Sequence, residues 1–200
     1  MSLRAPFAWL GDRAIRFARP PVSPRELVAA VRGWPGVVDV VVGVDTVAAY
    51  FDAEAQIDES RIVALAALAG ADDPPRSVTI HVVYDGEDLD MIAATLGLHR
   101  DEVTRLHQDT TFTVETIGFA PGFAYLAGLP QILRLPRRAT PRPRIAAGSL
   151  AIAGAYSAVY PFDSPGGWHV IGRVIDGPMF TANGARLAYG DRVRFDGGMS

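Results

Sequence analysis

The sequence predicts an α+β protein in two parts, a small α/β domain over residues 1–77 and a β-barrel domain over residues 78–200. Three observations carry this expectation. Helix and strand patterns alternate through the first third of the chain. The segment ADDPPRS (71–77) sets two adjacent prolines among charges, which marks a linker. From Thr111 onward helix signals largely vanish, and short apolar runs alternate with Gly/Pro-rich turns, the pattern of a closed sheet.

The first part reads β-α-β-β-α. AIRFAR (14–19) is a short strand. VSPRELVAAVRG opens a helix with Ser23 at the N-cap, Pro24 at the first helical position and Glu26 completing a capping box, and Gly33 stops it. VVDVVVGV (37–44) and TVAAYFD (46–52) are two strands so close in sequence that they pair antiparallel. Asp58 to Ala69 is a second helix ended by Gly70.

In the second part VTIHVVY alternates as a strand from Val78. EDLDMIAATLG (87–97) is a helix ended by Gly97, and RDEVTRLHQ (100–108) is another, with Val103, Leu106 and His107 on one face. TFTVETIGF, SLAIAGAYSAVY, WHVIGRV and GDRVRF are the remaining strands. GFAPGFAYLAGLP (118–130), with three glycines and two prolines in thirteen residues, reads as a loop, neither helix nor ordinary strand.

Composition narrows the function. At 49% hydrophobic and 20% charged residues the chain is of ordinary globular type. A net charge of −3 gives no overall basic footprint for nucleic acid or an acidic membrane. No run of 18 apolar residues is present, and the N-terminus lacks the pattern of a signal peptide. The absence of cysteine excludes disulfides, thiolate metal sites and Cys nucleophiles, and a cytoplasmic address is the expectation. All 19 basic residues are Arg. Without Lys there is no P-loop, no Schiff base and no biotinylated carrier lysine.

Three Gly/Pro-rich segments form a candidate site. The first contributes Phe119, Pro121, Gly122 and Tyr125, with Phe123 beside them. The second, LPRRATPRPRIAAGS (135–149), carries Arg137, Arg138, Arg142 and Arg144, with Arg134 just before it. Guanidinium groups suit bidentate capture of carboxylate or phosphate, and Gly148 and Ser149 offer backbone N–H groups as an anion nest would. The third, YPFDSPGGWHVIGR (160–173), contributes Tyr160, Ser164, Gly166 and Trp168. Two readings stand for the aromatic loop: a plug for one barrel end, or the lip of a ligand pocket. Three stand for the arginines: an anion site, a solvated face, or a contact with an acidic partner. His107 is the candidate acid/base, whereas His81, His99 and His169 read as structural. Asp85, Glu87, Asp88 and Asp90 read as a solvated cluster around a helix start. No G-x-S-x-G, H-E-x-x-H or G-x-G-x-x-G signature occurs, and no metal site is expected.

YDGEDLDMIAATLGL, EVTRLH, GFAPGFAYLAGLP, LPRRATPRPRIAAGSLAIAG, YPFDSPGGWHVIGR and GDRVRF occur in that order. This series resembles the family of the sporulation-kinase inhibitor and allophanate hydrolase subunit 1, also described as the B subunit of 5-oxoprolinase. The resemblance is strong over most of 78–200 and weaker over 11–52. It implies an N-terminal α/β domain with a ferredoxin-like half and a C-terminal cyclophilin-like barrel. It also implies a partner C subunit with a paired barrel domain, an A subunit, and ATP (with Mg) used by the complex to open 5-oxoproline to glutamate. Which of the three polypeptides holds ATP stays open. A small carboxylate substrate fits the arginines, and the chain is expected to be inactive alone. The alternatives are a sensor histidine kinase inhibitor, or one component of an allophanate hydrolase or urea carboxylase-like carboxyltransferase. The sequence departs from the family pattern at Tyr84-Asp85-Gly86 (Tyr-Gly-Gly), Ile145-Ala146-Ala147-Gly148-Ser149 (Val-Pro-Ala-Gly-Ser) and Tyr156-Ser157-Ala158 (Gln-Thr-Gly). Tyr156 at the usual Gln position leaves the substrate's identity open.

Overall fold

A computed structural model describes residues 7–54, 57–68 and 75–197. The chain divides into two compact units, 1–74 and 75–200. Residues 71–74 of the expected linker lie outside the described residues, as do Ala69 and Gly70, but the second helix already ends at Leu65, short of the expected Ala69.

In the first unit β1 (Phe7–Trp9), β2 (Ala14–Ala18), β3 (Val37–Val42) and β4 (Thr46–Phe51) form an antiparallel sheet in the order β1-β2-β4-β3. Helix α1 (Pro24–Arg32) begins as its cap residues dictate: the Ser23 hydroxyl accepts from the Glu26 N–H at 3.3 Å and donates to the Glu26 carboxylate at 2.7 Å. Leu27 and Val31, one turn apart, are buried, and α1 packs on β3. Ile15, Phe17, Val40, Val42, Val47 and Ala49 supply the sheet's buried side chains. Helix α2 (Glu59–Leu65) is capped by Asp58, which accepts from the Ser60 N–H.

The second unit is a closed barrel. Its strands are β5 (Ser77–Val83), β6 (Phe112–Ile117), β7 (Ala124–Ala127), β9 (Ser149–Ala153), β10 (Tyr156–Val159), β12 (His169–Val174) and β15 (Arg192–Gly197), closed in the order β10-β7-β6-β15-β5-β12-β9. β15 runs parallel to β5, and the other neighbouring strands pair antiparallel. Every strand places apolar residues in one cluster, among them Ile80, Val114, Leu126, Ile152, Val159, Ile171 and Val193, so that cluster fills the barrel interior. Helices α3 (Leu89–Leu96) and α4 (Arg100–Gln108) add Leu89, Ile92 and Val103 to it. α4 starts where its sequence pattern puts it, with the Glu102 carboxylate accepting from the His99 N–H at 2.8 Å.

β8 (Arg142–Ile145) and β11 (Ser164–Gly166) form a separate two-stranded ribbon, and β13 (Phe180–Thr181) pairs with β14 (Gly184–Ala185). Alternation along β9 divides two layers: Leu150 and Ile152 point into the barrel, while Ala151 and Ala153 point outward into a second cluster with Phe123, Ile145, Tyr160 and Trp168.

The expectation for 118–130 needs correction. Its second half, Ala124–Ala127, is barrel strand β7, paired with both β6 and β10. Glycines and prolines bound the strand without interrupting it, so it escapes notice as a gap between turn signals.

Candidate functional site

The three segments do converge, the first on the third through Phe123 and Trp168, and a carboxylate, Asp88, ties the second to the third. The loop after β5 turns at Gly86, where a Cβ would sit 2.3 Å from the Val170 carbonyl oxygen, so only Gly permits this approach to β12. That contact buries Asp88 to 4% exposure. Asp88 accepts from Arg138 Nη1 at 2.8 Å, from Arg142 Nη1 and Nη2 at 2.8 Å each, and from the Val170 N–H at 2.7 Å. Its own N–H donates to the Val170 oxygen at 3.0 Å. Arg142 also meets Glu87 at 3.0 Å. Burial pushes the Asp88 carboxyl up, but the hydrogen bonds from Arg142 and Val170 and the charges of Arg142 and Arg138 outweigh it, leaving the group below the ordinary carboxylate range.

Bidentate capture of a carboxylate by this arginine cluster is thus realised inside the chain. Arg138 and Arg142 hold Asp88, Arg144 holds Asp163 at 2.6–2.9 Å, and Arg134 Nε donates to the Leu129 oxygen. Asp88 is a buried hub, not a member of a solvated cluster. Its sequence signal is weak: an acid beside a helix start, usually a solvated N-cap. Arg137 is exposed.

The aromatic residues fall into two groups. Phe123, Tyr160 and Trp168 are buried on the barrel's outer face, so Phe123 is core and not surface. Phe123 meets Tyr160 and Trp168 edge-on at 5.3 and 5.6 Å between ring centres. Tyr160 lies against Gly166, where a Cβ would fall 2.2 Å from the Tyr160 hydroxyl oxygen. Tyr125 is half-buried and Phe119 is 62% exposed. Phe119 adopts φ 74°, the left-handed region that a bulky residue rarely occupies. Pro121 is exposed and Gly122 is buried against Phe180. Tyr156, at the family's Gln position, donates from its hydroxyl to Glu115 Oε2 at 2.8 Å and meets Tyr125 at 5.8 Å between ring centres.

The N–H groups expected to form an anion nest are engaged by the chain's own carbonyls. The Gly148 N–H donates to the Tyr160 oxygen at 2.7 Å, and the Ser149 N–H to the Ala146 oxygen at 3.2 Å. Ser164 Oγ donates to the Phe162 oxygen at 3.3 Å.

α4 delivers His107 into the barrel end, where it is fully buried. Its Nδ1 lies 2.9 Å from the Tyr84 hydroxyl and its Nε2 lies 2.8 Å from Ser157 Oγ. Ser157 Oγ in turn lies 3.4 Å from the Ala151 oxygen, which can only accept. The consistent polarity runs from Tyr84 O–H to Nδ1, from Nε2–H to Ser157, and from Ser157 to Ala151. Burial pushes the imidazole down to about 3 and pushes the Tyr84 hydroxyl up, so both stay neutral near pH 7. The trio has the residue order of an acid–base relay, but Ser157 and His107 are shut from solvent. It acts as a satisfied polar string in the core.

Among the described residues no three His, Asp or Glu side chains gather to hold a metal ion, and the chain has no Lys. With Arg138 and Arg142 holding Asp88, these residues do not fit a Mg-nucleotide. The described residues include no helix long and apolar enough to cross a membrane.

Residues 21–187 match the family described as "Carboxyltransferase domain, subdomain C and D", and the chain belongs to that carboxyltransferase-domain family. Within the family it is 38% identical over 168 residues to the 5-oxoprolinase B subunit of Haemophilus influenzae, covering 80% of this chain and 78% of that one. The crystal structure of TTHA0988 superposes with a TM-score of 0.79 at 34% identity over 94% of this chain, which spans only 41% of TTHA0988. The urea amidolyase of K. lactis shares the fold at a TM-score of 0.69 and 18% identity, over 96% of this chain and 15% of that one.

Proposed function

We propose that the chain is the B subunit of an ATP-dependent 5-oxoprolinase that opens 5-oxoproline to glutamate. The observation that carries this reading is the 38% identity to the B subunit of Haemophilus influenzae, extending over 78% of that protein's length.

The site's chemistry agrees with one component's share of the work. The chain binds and positions; it does not act alone. Its candidate acid/base His107 is sealed in the barrel, and its clustered arginines are mostly engaged with its own carboxylates. A C subunit with a paired barrel and an A subunit supply the missing groups. ATP, whose phosphate would activate the lactam carbonyl, is held outside this chain's described residues, and its use places the reaction in the cytoplasm. Here the chain's own part is to present the exposed Arg137, Phe119 and half-buried Tyr125 beside the arginine-locked ribbon. Arg137 would meet the substrate carboxylate.

Reconstitution tests this. The chain mixed with the A and C subunits, ATP, Mg and 5-oxoproline is expected to release glutamate. No glutamate from the full set overturns the reading. Tight capture of a sensor kinase by the chain alone would favour the inhibitor alternative instead.

A further inference from the structure

A cavity of about 300 Å³ opens on the outer wall of the barrel, lined by Thr79, Gln108, Asp109, Arg194, Phe195 and Asp196. Strand alternation sets two of its walls. Ile80, Val193 and Phe195 belong to the barrel's core cluster, so Thr79, Arg194 and Asp196 point outward. β5 and β15 run parallel in a register that puts Arg194 beside Thr79 and Asp196 beside His81. The third wall is the end of α4, which packs on β15. The helix stops at Gln108, with Asp109 as its C-cap. A Cβ at Gly197 would fall 3.1 Å from Gln108 Oε1, so the helix end lies against the end of β15. Buried Phe195 supplies the floor.

The charges on these walls are arranged unlike those elsewhere in the barrel unit. Arg138, Arg142, Arg144 and Arg186 each hold a carboxylate. Asp196 meets His81 Nδ1 at 3.3 Å. Arg194 and Asp109 are both exposed, and among the described residues neither side chain has a partner, although both line one cavity. Opposite charges that share a cavity and stay apart suit a ligand that carries both charges. The C-terminal end of α4 puts the negative end of its dipole beside Asp109, which adds to the pull on a cation. We propose that this cavity binds a free α-amino acid with an uncharged side chain. The Arg194 guanidinium donates to both oxygens of the carboxylate, and the Asp109 carboxylate accepts from the ammonium. Gln108 and Thr79 add neutral donors and acceptors. Among the described residues no second cation lines the cavity, so a second carboxylate on the ligand goes unmatched. Glutamine has the matching charges. 5-Oxoproline has no ammonium, its nitrogen being an amide, so this site is separate from the proposed reaction.

The test is an NMR titration of the 15N-labelled 200-residue chain, with glutamine, glutamate, acetate and ethylammonium as probes. The amide resonances of Gln108, Asp109, Arg194 and Asp196 are expected to shift saturably with glutamine. Acetate and ethylammonium each carry one of its two charges and are expected to bind more weakly, as is glutamate. Arg194→Gln and Asp109→Asn change exposed side chains and leave the barrel core untouched. Each is expected to weaken glutamine binding about ten-fold, with urea midpoints showing that both variants stay folded. No saturable shift with glutamine at millimolar concentration overturns the proposal, and so does glutamine binding that both variants leave unchanged. Acetate binding as tightly as glutamine reduces the cavity to an anion contact of Arg194 and overturns it too. Glutamate binding as tightly as glutamine contradicts the charge balance on which the proposal stands. None of these results bears on glutamate release by the full set of subunits, so the proposal can fail while the function stands, and the reverse.

Discussion

Replacing Asp88 by Asn removes a charge that three segments need at once. The carboxylate binds α3's approach to the Arg-rich loop through Arg138, to the ribbon through Arg142 and to β12 through the Val170 N–H. Asn keeps the shape but leaves two guanidinium groups facing a neutral amide, one of whose atoms is a donor. Breaking a buried pair from one side costs about 3–5 kcal/mol. For a barrel unit of this size that corresponds to a fall in melting temperature of roughly 10–20 °C. The assay is urea denaturation followed by far-UV circular dichroism, with calorimetry for the melting temperature. Arg138→Ala is expected to cost less, because Arg142 still holds both carboxylate oxygens. A loss below about 1 kcal/mol for Asp88→Asn, the range of an exposed pair, would refute the view of Asp88 as a hub.

His107 supplies a pH dependence. Its imidazole titrates at about 3 when folded against 6.5 ordinarily. The folded state therefore binds fewer protons, and the stabilisation is present above pH 6.5 and drains as pH falls towards 3, at up to about 1.4 kcal/mol per pH unit. Between pH 6.5 and 5 the wild type is expected to lose about 2 kcal/mol, measured by urea midpoints. His107→Gln should flatten that limb, and an unchanged slope contradicts the assignment. Gly86→Ala should destabilise the barrel by more than about 2 kcal/mol or prevent folding, because its Cβ meets the backbone of Val170 and Ile171, which cannot swing aside. A midpoint within about 0.5 kcal/mol of wild type would contradict the close approach. Ser157→Ala should cost about 1–3 kcal/mol by leaving His107 Nε2 unpaired. A neutral result in the same assay would show that the polar string does not hold.

Local signals carried far along this chain, and long-range pairings did not. α4 falls on residues 100–108 as its periodicity indicates, because an amphipathic face and a first-turn carboxylate both act within a few residues. The Ser23 cap is legible for the same reason. β7 was hidden because turn residues on both sides drown a four-residue strand. The arginine cluster shows how chemistry can be read without its partner. Carboxylate capture is written in the residue type, but the carboxylate, Asp88, lies 50 positions from Arg138 and is brought there by barrel closure. His107 is the converse case. Its place on the buried face with Val103 was legible, but not that Tyr84 and Ser157 would satisfy both ring nitrogens inside the barrel. His169 reads as structural in sequence because nothing there reveals that only one of its nitrogens finds a partner.

The most direct test is an omission experiment on the assembled system. Glutamate and inorganic phosphate are measured together from 5-oxoproline and ATP, with the A and C subunits present and this chain added or left out. Glutamate is expected only when this chain is present and is expected to fall to background without it. Glutamate formation that persists at full rate without the chain contradicts its role as a required component of the enzyme.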